Sequence, residues 1–302
     1  VFAFTAATGM KLSIPNILAS SVPIPRGCRS AVSSDNPWHE YWLEAIYKEI
    51  SGLLSLNVWT VMKRKDVPVN SNIMRCHFVF TLKQHATGMI DRFKARLVAD
   101  GNSQRYGLDY DRVFSTVVKW ITLRLCLLLA AVYGWHLSGV DLSQAFLYGL
   151  LTEDVYMQVP EGLPQYDGEG NKLCVKLNKS LYGLKQAPRV WNEVFTGWLI
   201  EYGFKQSEYD PCLFVYSVAG IILLVLIWVD DCIIIDNSSK ARDEFVKALQ
   251  GKFKITTKSE LDWVLGVHIT RDLKKKTIAL SQELYIKELY ERFGGHLIEG
   301  YV

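Results

Sequence analysis

Asp230 and Asp231 stand side by side in Leu226-Ile227-Trp228-Val229-Asp230-Asp231-Cys232-Ile233-Ile234-Ile235, two carboxylates set between two apolar runs. The runs, Ile221 to Val229 and Cys232 to Ile235, read as buried strands. Each is too short to span a bilayer. Carboxylates at mid-membrane would also cost ~2.5–3.5 kcal/mol apiece even on the lenient insertion scale, so a buried hairpin is expected and no membrane partner. Adjacent like charges disfavour joint ionisation, and an unpaired buried charge is costly, so a fold that keeps both acids usually supplies cations. Hard Mg²⁺ prefers oxygen ligands and suits such a site. A continuous strand would send the two side chains to opposite faces, and a turn between the strands relaxes that constraint. The plainer alternative is a polar hairpin turn without further chemistry.

A third acid, Asp141 in Gly139-Val140-Asp141-Leu142, ends a strand expected over Trp135 to Leu142 and precedes a tight turn at Ser143 to Leu147. It joins the pair only if the two strands are sheet neighbours. Otherwise it reads as a helix cap for the Ser143 segment.

The remaining elements follow from periodicity. Trp42, Ala45, Ile46, Ile50, Leu53 and Leu54 recur at helical spacing within Trp38 to Leu56, with Asn36-Pro37 as a start. Cys76 to Lys83 and Phe93 to Ala99 suggest a hairpin around Ala86-Thr87-Gly88, with Lys83, Lys94 and Arg96 on its outer face. Trp120 to Tyr133 is apolar nearly all round and reads as a buried helix stopped by Gly134. Val155 to Val159 and Phe214 to Tyr216 are further strands, and Arg189 to Tyr202 is an amphipathic helix. A helix capped by Asn237-Ser238-Ser239, a strand pair over Trp263 to Thr270 and Thr277 to Leu280, and a last helix over Leu284 to Phe293 complete the order. Residues 1–36 collect Pro, Gly and Ser and read as a loosely ordered leader. The element order is α+β, favouring an antiparallel sheet with helices packed on one face.

Bulk composition narrows the class. A chain of 302 residues, 49% hydrophobic and with nine Trp and 15 Tyr, supports a sizeable core rather than disorder. The net charge of +3 is too small to demonstrate a nucleic-acid partner, and the clusters Lys63-Arg64-Lys65, Arg92/Lys94/Arg96 and Lys274-Lys275-Lys276 each read singly as a solvated face. The six cysteines are scattered without a C-x-x-C pair, which indicates reduced, buried thiols and no zinc site. The first residue is Val and no secretion signal is visible, so the chain reads as an internal fragment.

Several segments together resemble one family. Phe93-Lys94-Ala95-Arg96-Leu97-Val98-Ala99, Val140-Asp141-Leu142-Ser143-Gln144-Ala145-Phe146-Leu147, Val155-Tyr156-Met157-Gln158-Val159-Pro160-Glu161-Gly162, Ser180-Leu181-Tyr182-Gly183-Leu184-Lys185-Gln186-Ala187-Pro188-Arg189-Val190-Trp191 and Trp228-Val229-Asp230-Asp231 occur in the order and spacing of copia-type LTR retrotransposon reverse transcriptases. The resemblance runs from about Pro37 to about Phe293. It implies an RNA-directed DNA polymerase with the fingers and palm of a right-handed polymerase. The expected division is fingers over 37–116 and 149–186, palm over 117–148 and 187–270, and the start of a truncated thumb or connection over 271–302. No RNase H domain is expected in what remains.

The resemblance further implies two Mg²⁺ ions, or Mn²⁺, held by Asp141, Asp230 and Asp231 with the carbonyl of Leu142. Lys83, Lys94 and Arg96 would hold the incoming triphosphate, with Tyr182 and Gly183 close to the nucleotide. Phe146, five residues after Asp141, resembles the gate against a 2′-hydroxyl, its alternative being a plain core aromatic. Lys185, Gln186, Trp228, Leu265 and Gly266 would lie at the template or primer. The implied partners are an RNA or DNA template with primer, dNTPs and other domains of a retrotransposon polyprotein. The implied compartment is intracellular, a cytoplasmic particle or the nucleus. Trp228 where the family has Tyr, Asp100 where it has Lys, His77-Phe78-Val79-Phe80-Thr81 in place of the usual fingers strand, and Lys258-Ser259 in place of Leu-Gly are departures. They raise the alternative of a catalytically weakened remnant that retains only nucleic-acid binding.

Overall fold

The computed structural model describes residues 12–85 and 87–294. Residues 1–11 of the expected leader, Ala86 of the expected turn and 295–302 of the expected thumb start lie outside the described residues. From the N-terminus come α1 (Cys28–Val32) and α2 (His39–Ser55), then β1 (Trp59–Lys63), β2 (Ile73–Met74), β3 (Cys76–Gln84) and β4 (Ile90–Ala99). Next are α3 (Trp120–Tyr133), β5 (His136–Leu142), β6 (Leu150–Gln158), β7 (Leu173–Lys179) and α4 (Ala187–Tyr202). β8 (Lys205–Gln206), β9 (Leu213–Val218), β10 (Ile221–Trp228), β11 (Asp231–Asp236) and α5 (Ser239–Lys252) follow. The series ends with β12 (Ile255–Lys258), β13 (Trp263–Val264), β14 (Val267–Asp272), β15 (Thr277–Ser281) and α6 (Glu283–Phe293). The fold class is thus a mixture of helix and sheet.

The chain divides into two compact units. One takes the residues up to Ser115 together with Ala145–Phe195, and the other takes Thr116–Gln144 and the residues from Thr196 on.

In the first unit, α2 begins where Asn36 supplies both a side-chain acceptor to the Trp38 amide (3.0 Å) and a carbonyl to the His39 amide (3.0 Å). Its apolar stripe Trp42, Ala45, Ile46, Ile50 and Leu53 is buried. Trp42 packs edge-on against Phe80 and Phe93, at 5.3 and 4.8 Å between ring centroids. That contact is possible because β3 and β4 pair antiparallel and alternate in register from Cys76 to Lys83, before an irregularity at Lys83–Gln84. Phe78, Phe80, Ala95, Leu97 and Phe93 fill the inner face, while Lys83, Arg92, Lys94 and Arg96 emerge from the other. A second sheet in this unit has the order β1-β7-β6-β2, with β2 parallel to β6, a pairing that a two-residue strand does not announce in sequence. Residues 12–36 depart from the expected loose leader. Ala19 donates to the Gly88 carbonyl and Ile17 accepts from Ile90, which pins this segment to the β3–β4 turn, while Val22 and Ala31 enter the core.

The second unit is built on a six-stranded sheet of order β12-β5-β11-β10-β9-β8, antiparallel throughout. α5 packs on β10 and β11, and α3 on β11. Ser238 caps α5 through its hydroxyl, which accepts from the Ala241 amide at 3.4 Å. Gly134 ends α3 in the left-handed conformation, as its sequence position suggests. The expectation that α3 is buried is corrected. Leu123, Cys126, Leu127, Ala130 and Ala131 are covered, whereas Ile121, Leu125 and Leu128 remain 71%, 54% and 58% exposed. A helix that is apolar all round carries no facial bias, so its sequence does not reveal how much of it finds a neighbour. Gly294 follows α6 as its C-cap, with its backbone in the right-handed helical region. Cys126, Cys174, Cys212 and Cys232 are buried free thiols, but Cys28 and Cys76 are only partly covered. Among the described residues no helix is long and apolar enough to cross a membrane.

Candidate active site

The β10–β11 hairpin closes on the pair Trp228–Asp231, which leaves Val229 and Asp230 as a two-residue turn. Val229 has φ 58°, a left-handed conformation that a β-branched residue adopts only under constraint. The turn separates the two acids, since Asp230 lies in it and Asp231 begins β11. Asp231 is the direct partner of Asp141 in the β11–β5 register, and Asp141 is in turn the partner of Thr256 on β12. Directly opposed residues of an antiparallel pair project to the same face, so Thr256, Asp141, Asp231 and Trp228 form one row across four strands. The Leu142 amide donates to the Asp230 carbonyl at 2.9 Å, tying the turn to the end of β5.

Electrostatics report the crowding. Burial, then Asp230 and Asp141, push the Asp231 carboxyl above its ordinary value, with Lys258 opposing. Asp231 is open to solvent on one side, which screens part of this repulsion. Behind it the fully buried Cys232 thiol is pushed up by burial and then by Asp231, Asp230 and Asp141. Beside the row lies a pocket of about 240 Å³ lined by Gly139, Asp141, Asp231, Thr256, Lys258 and Trp263 among others. Leu265 and Gly266, expected at the primer, form the β13–β14 turn with φ 51° and 77°, and Leu265 reaches this pocket. Trp228 packs against Trp120 at 6.3 Å.

Among the described residues no group of three or more His, Cys, Asp or Glu side chains is gathered as a ready metal cage. The donor chemistry still fits a hard divalent cation, because the row offers carboxylate oxygens whose mutual repulsion such an ion would relieve.

In the first unit, Lys83, Lys94 and Arg96 share one face of the hairpin with Arg92. Burial, then Arg96, Lys83 and Arg92, lower the Lys94 pKa, and Glu49 opposes them. The Arg96 guanidinium lies over the Tyr182 ring at 5.2 Å from its centroid, and the half-buried Phe146 meets the same ring edge-on at 5.0 Å. Gly183, with φ 92°, crosses β4 so closely that a Cβ there would come within 2.1 Å of the Ala99 carbonyl oxygen.

Gln186 and Lys185 are both engaged within the first unit. Gln186, expected at the template, is fully buried, its amide accepting from Gln104 and donating to the Asp109 carbonyl. Lys185 is partly buried and turned inward, its ammonium on the Gln104 carbonyl and over the Tyr110 ring at 4.8 Å. The polar groups of both side chains are engaged inside the unit. Thr256 and Gln104, neighbours of these clusters, carry no signal in their local sequence.

Comparison with known proteins agrees with the resemblance. The profile of the family described as Reverse transcriptase (RNA-dependent DNA polymerase) matches residues 56–298. The chain is 37% identical over 253 residues to the Retrovirus-related Pol polyprotein from transposon RE1 of Arabidopsis thaliana, covering 84% of this chain and 17% of that protein. It is 34% identical over 268 residues to the corresponding polyprotein from transposon RE2 of the same plant, covering 89% and 18%. With that from transposon TNT 1-94 of Nicotiana tabacum it shares 33% identity over 279 residues, covering 92% and 20%. The chain therefore spans a fifth or less of the length of these relatives. With a profile matched over most of its length and such relatives, the chain belongs to the reverse transcriptases of copia-type LTR retrotransposons.

Proposed function

We propose that this chain is the RNA-directed DNA polymerase part of a retrotransposon polyprotein, extending a primer on an RNA or DNA template with dNTPs. The observation that carries the reading is the opposition of Asp141 and Asp231 in the sheet, with Asp230 in the adjoining turn. On this reading residues 37–116 and 149–186 are fingers, 117–148 and 187–270 palm, and 271–302 the start of a thumb. The other domains of the polyprotein are its partners in the chain, and its compartment is a cytoplasmic particle or the nucleus.

In the reaction a bond forms between the primer 3′-oxygen and the α-phosphorus, the α–β phosphoanhydride bond breaks, and pyrophosphate leaves, with the 3′-hydroxyl proton passing to solvent. Asp141, Asp230 and Asp231, with the Leu142 carbonyl, would hold two Mg²⁺ or Mn²⁺ ions. Such ions supply Lewis-acid stabilisation of the attacking and leaving oxygens. Lys83, Lys94 and Arg96 receive triphosphate charge, which guanidinium and ammonium groups pair with directly. Tyr182 and Phe146 offer an aromatic wall to the sugar, with Phe146 excluding a 2′-hydroxyl. Trp228, Leu265 and Gly266 serve the primer end.

Primer extension with Mg²⁺ and dNTPs on an RNA template tests the reading. Extension by the wild-type chain, lost in Asp230→Asn, supports it. Retained extension in that variant refutes the metal-ligand assignment, and binding without extension by the wild type favours the weakened remnant suggested by Trp228, Asp100 and Lys258.

A further inference from the structure

Gln104 follows a short 3₁₀ turn at Gly101–Ser103, outside any long element, yet it is only 5% exposed. Its Oε1 accepts from the Lys185 amide at 2.7 Å, and its Nε2 donates to Gln186 Oε1 at 2.9 Å. Gln186 Nε2 passes the chain on to the Asp109 carbonyl at 2.8 Å. The Asp109 carboxylate in turn accepts from Asn72 Nδ2 at 2.9 Å and from the Arg105 amide at 2.7 Å. Buried amides matched in this way favour one arrangement, because each partner removed leaves another group unsatisfied.

The segment these bonds hold begins at Tyr182. There the Tyr182 carbonyl accepts from the Ala99 amide at 2.8 Å, and Gly183 and Gly101 cross so tightly that a Cβ on Gly101 would meet the Gly183 carbonyl oxygen at 2.0 Å. Residues 182–186 are thus fixed at one end by a backbone crossing and at the other by the amide pair. Tyr182 carries Arg96 on its face and Phe146 at its edge.

We propose that Gln104 is a positioning residue for the nucleotide site. It holds the 182–186 turn through the Lys185 amide and Gln186, and so sets the Tyr182 ring against Arg96 and Phe146. The proposal rests on the reading of that cluster as the dNTP site, and it assigns Gln104 no contact with nucleotide.

The test compares Gln104→Ala and Gln104→Glu with wild type by hydrogen–deuterium exchange and by dTTP incorporation on an RNA template. Glu keeps an acceptor for the Lys185 amide and loses the donor to Gln186. In the Ala variant, exchange over 182–187 is expected to quicken while the β5–β11 amides stay protected, and KM for dTTP to rise ~10-fold with little change in kcat, the size expected for one unsatisfied buried group. The Glu variant is expected to fall between. Unchanged exchange over 182–187 in both variants overturns the proposal, as does a loosened turn with unchanged KM. Should the Ala variant fail to fold, the Glu variant gives the same two readings. A wild-type chain that does not extend overturns the polymerase reading alone, and the exchange pattern then still decides whether Gln104 holds the turn.

Discussion

Asp141 and Asp231 face each other directly across the β5–β11 pair, so their carboxylates leave the sheet on the same side. Because burial and its acidic neighbours raise the folded pKa of Asp231, the folded protein binds that proton more tightly than the unfolded chain does. Stability present at low pH is then lost as the pH rises through the raised value. In EDTA, Asp231→Asn should melt above wild type at neutral pH, and the gap should close as the pH falls toward the ordinary carboxylate value. Melting curves at a series of pH values check this, and a gap independent of pH would contradict the crowding.

Relief of the same repulsion predicts a divalent-ion effect. Saturating Mg²⁺ at ~100 times its dissociation constant should stabilise wild type by about 2.7 kcal/mol for each ion bound, relative to EDTA. Asp141→Asn and Asp230→Asn should lose most of that increment and all synthesis while keeping the wild-type circular dichroism spectrum. An undiminished increment in either variant would remove that residue from the ligand set.

Phe146 touches Tyr182 edge-on and is half-buried, so it has both a packing role and an open side. Phe146→Val should raise ribonucleotide incorporation relative to deoxynucleotide. An unchanged ratio, measured in competition on one template, leaves Phe146 a core aromatic.

Gly183→Ala places a Cβ against the Ala99 carbonyl in a backbone region that side chains rarely adopt. Strain and clash together should destabilise the chain by about 2–3 kcal/mol. Denaturant titration measures it, and a loss well below that figure would mean that the crossing relaxes cheaply.

The apolar runs around Asp230 and Asp231 made the hairpin readable, since their β-branched content and the polar pair between them leave few alternatives. The bounds of α3 were equally plain, but its exposure was not, because neither face differs in polarity. Asp141 lies far from Asp231 in sequence, so their opposition depends on strand order, which local pattern does not encode. The burial of Gln186 was not legible for another reason: an amide is equally suited to a ligand or to a buried partner, and its partner Gln104 sits in a distant loop.

The alternation in β3 and β4 also bears on how reliably the chain folds. A slip of one place in β4 would drive Arg92, Lys94 and Arg96 toward the side of Trp42 and put Phe93 in water, and a slip in β3 would do the same to Lys83 and Phe80. Mispaired forms of this hairpin are therefore penalised by the very ammonium and guanidinium groups that make its outer surface cationic, and the correct pairing needs no further device to single it out.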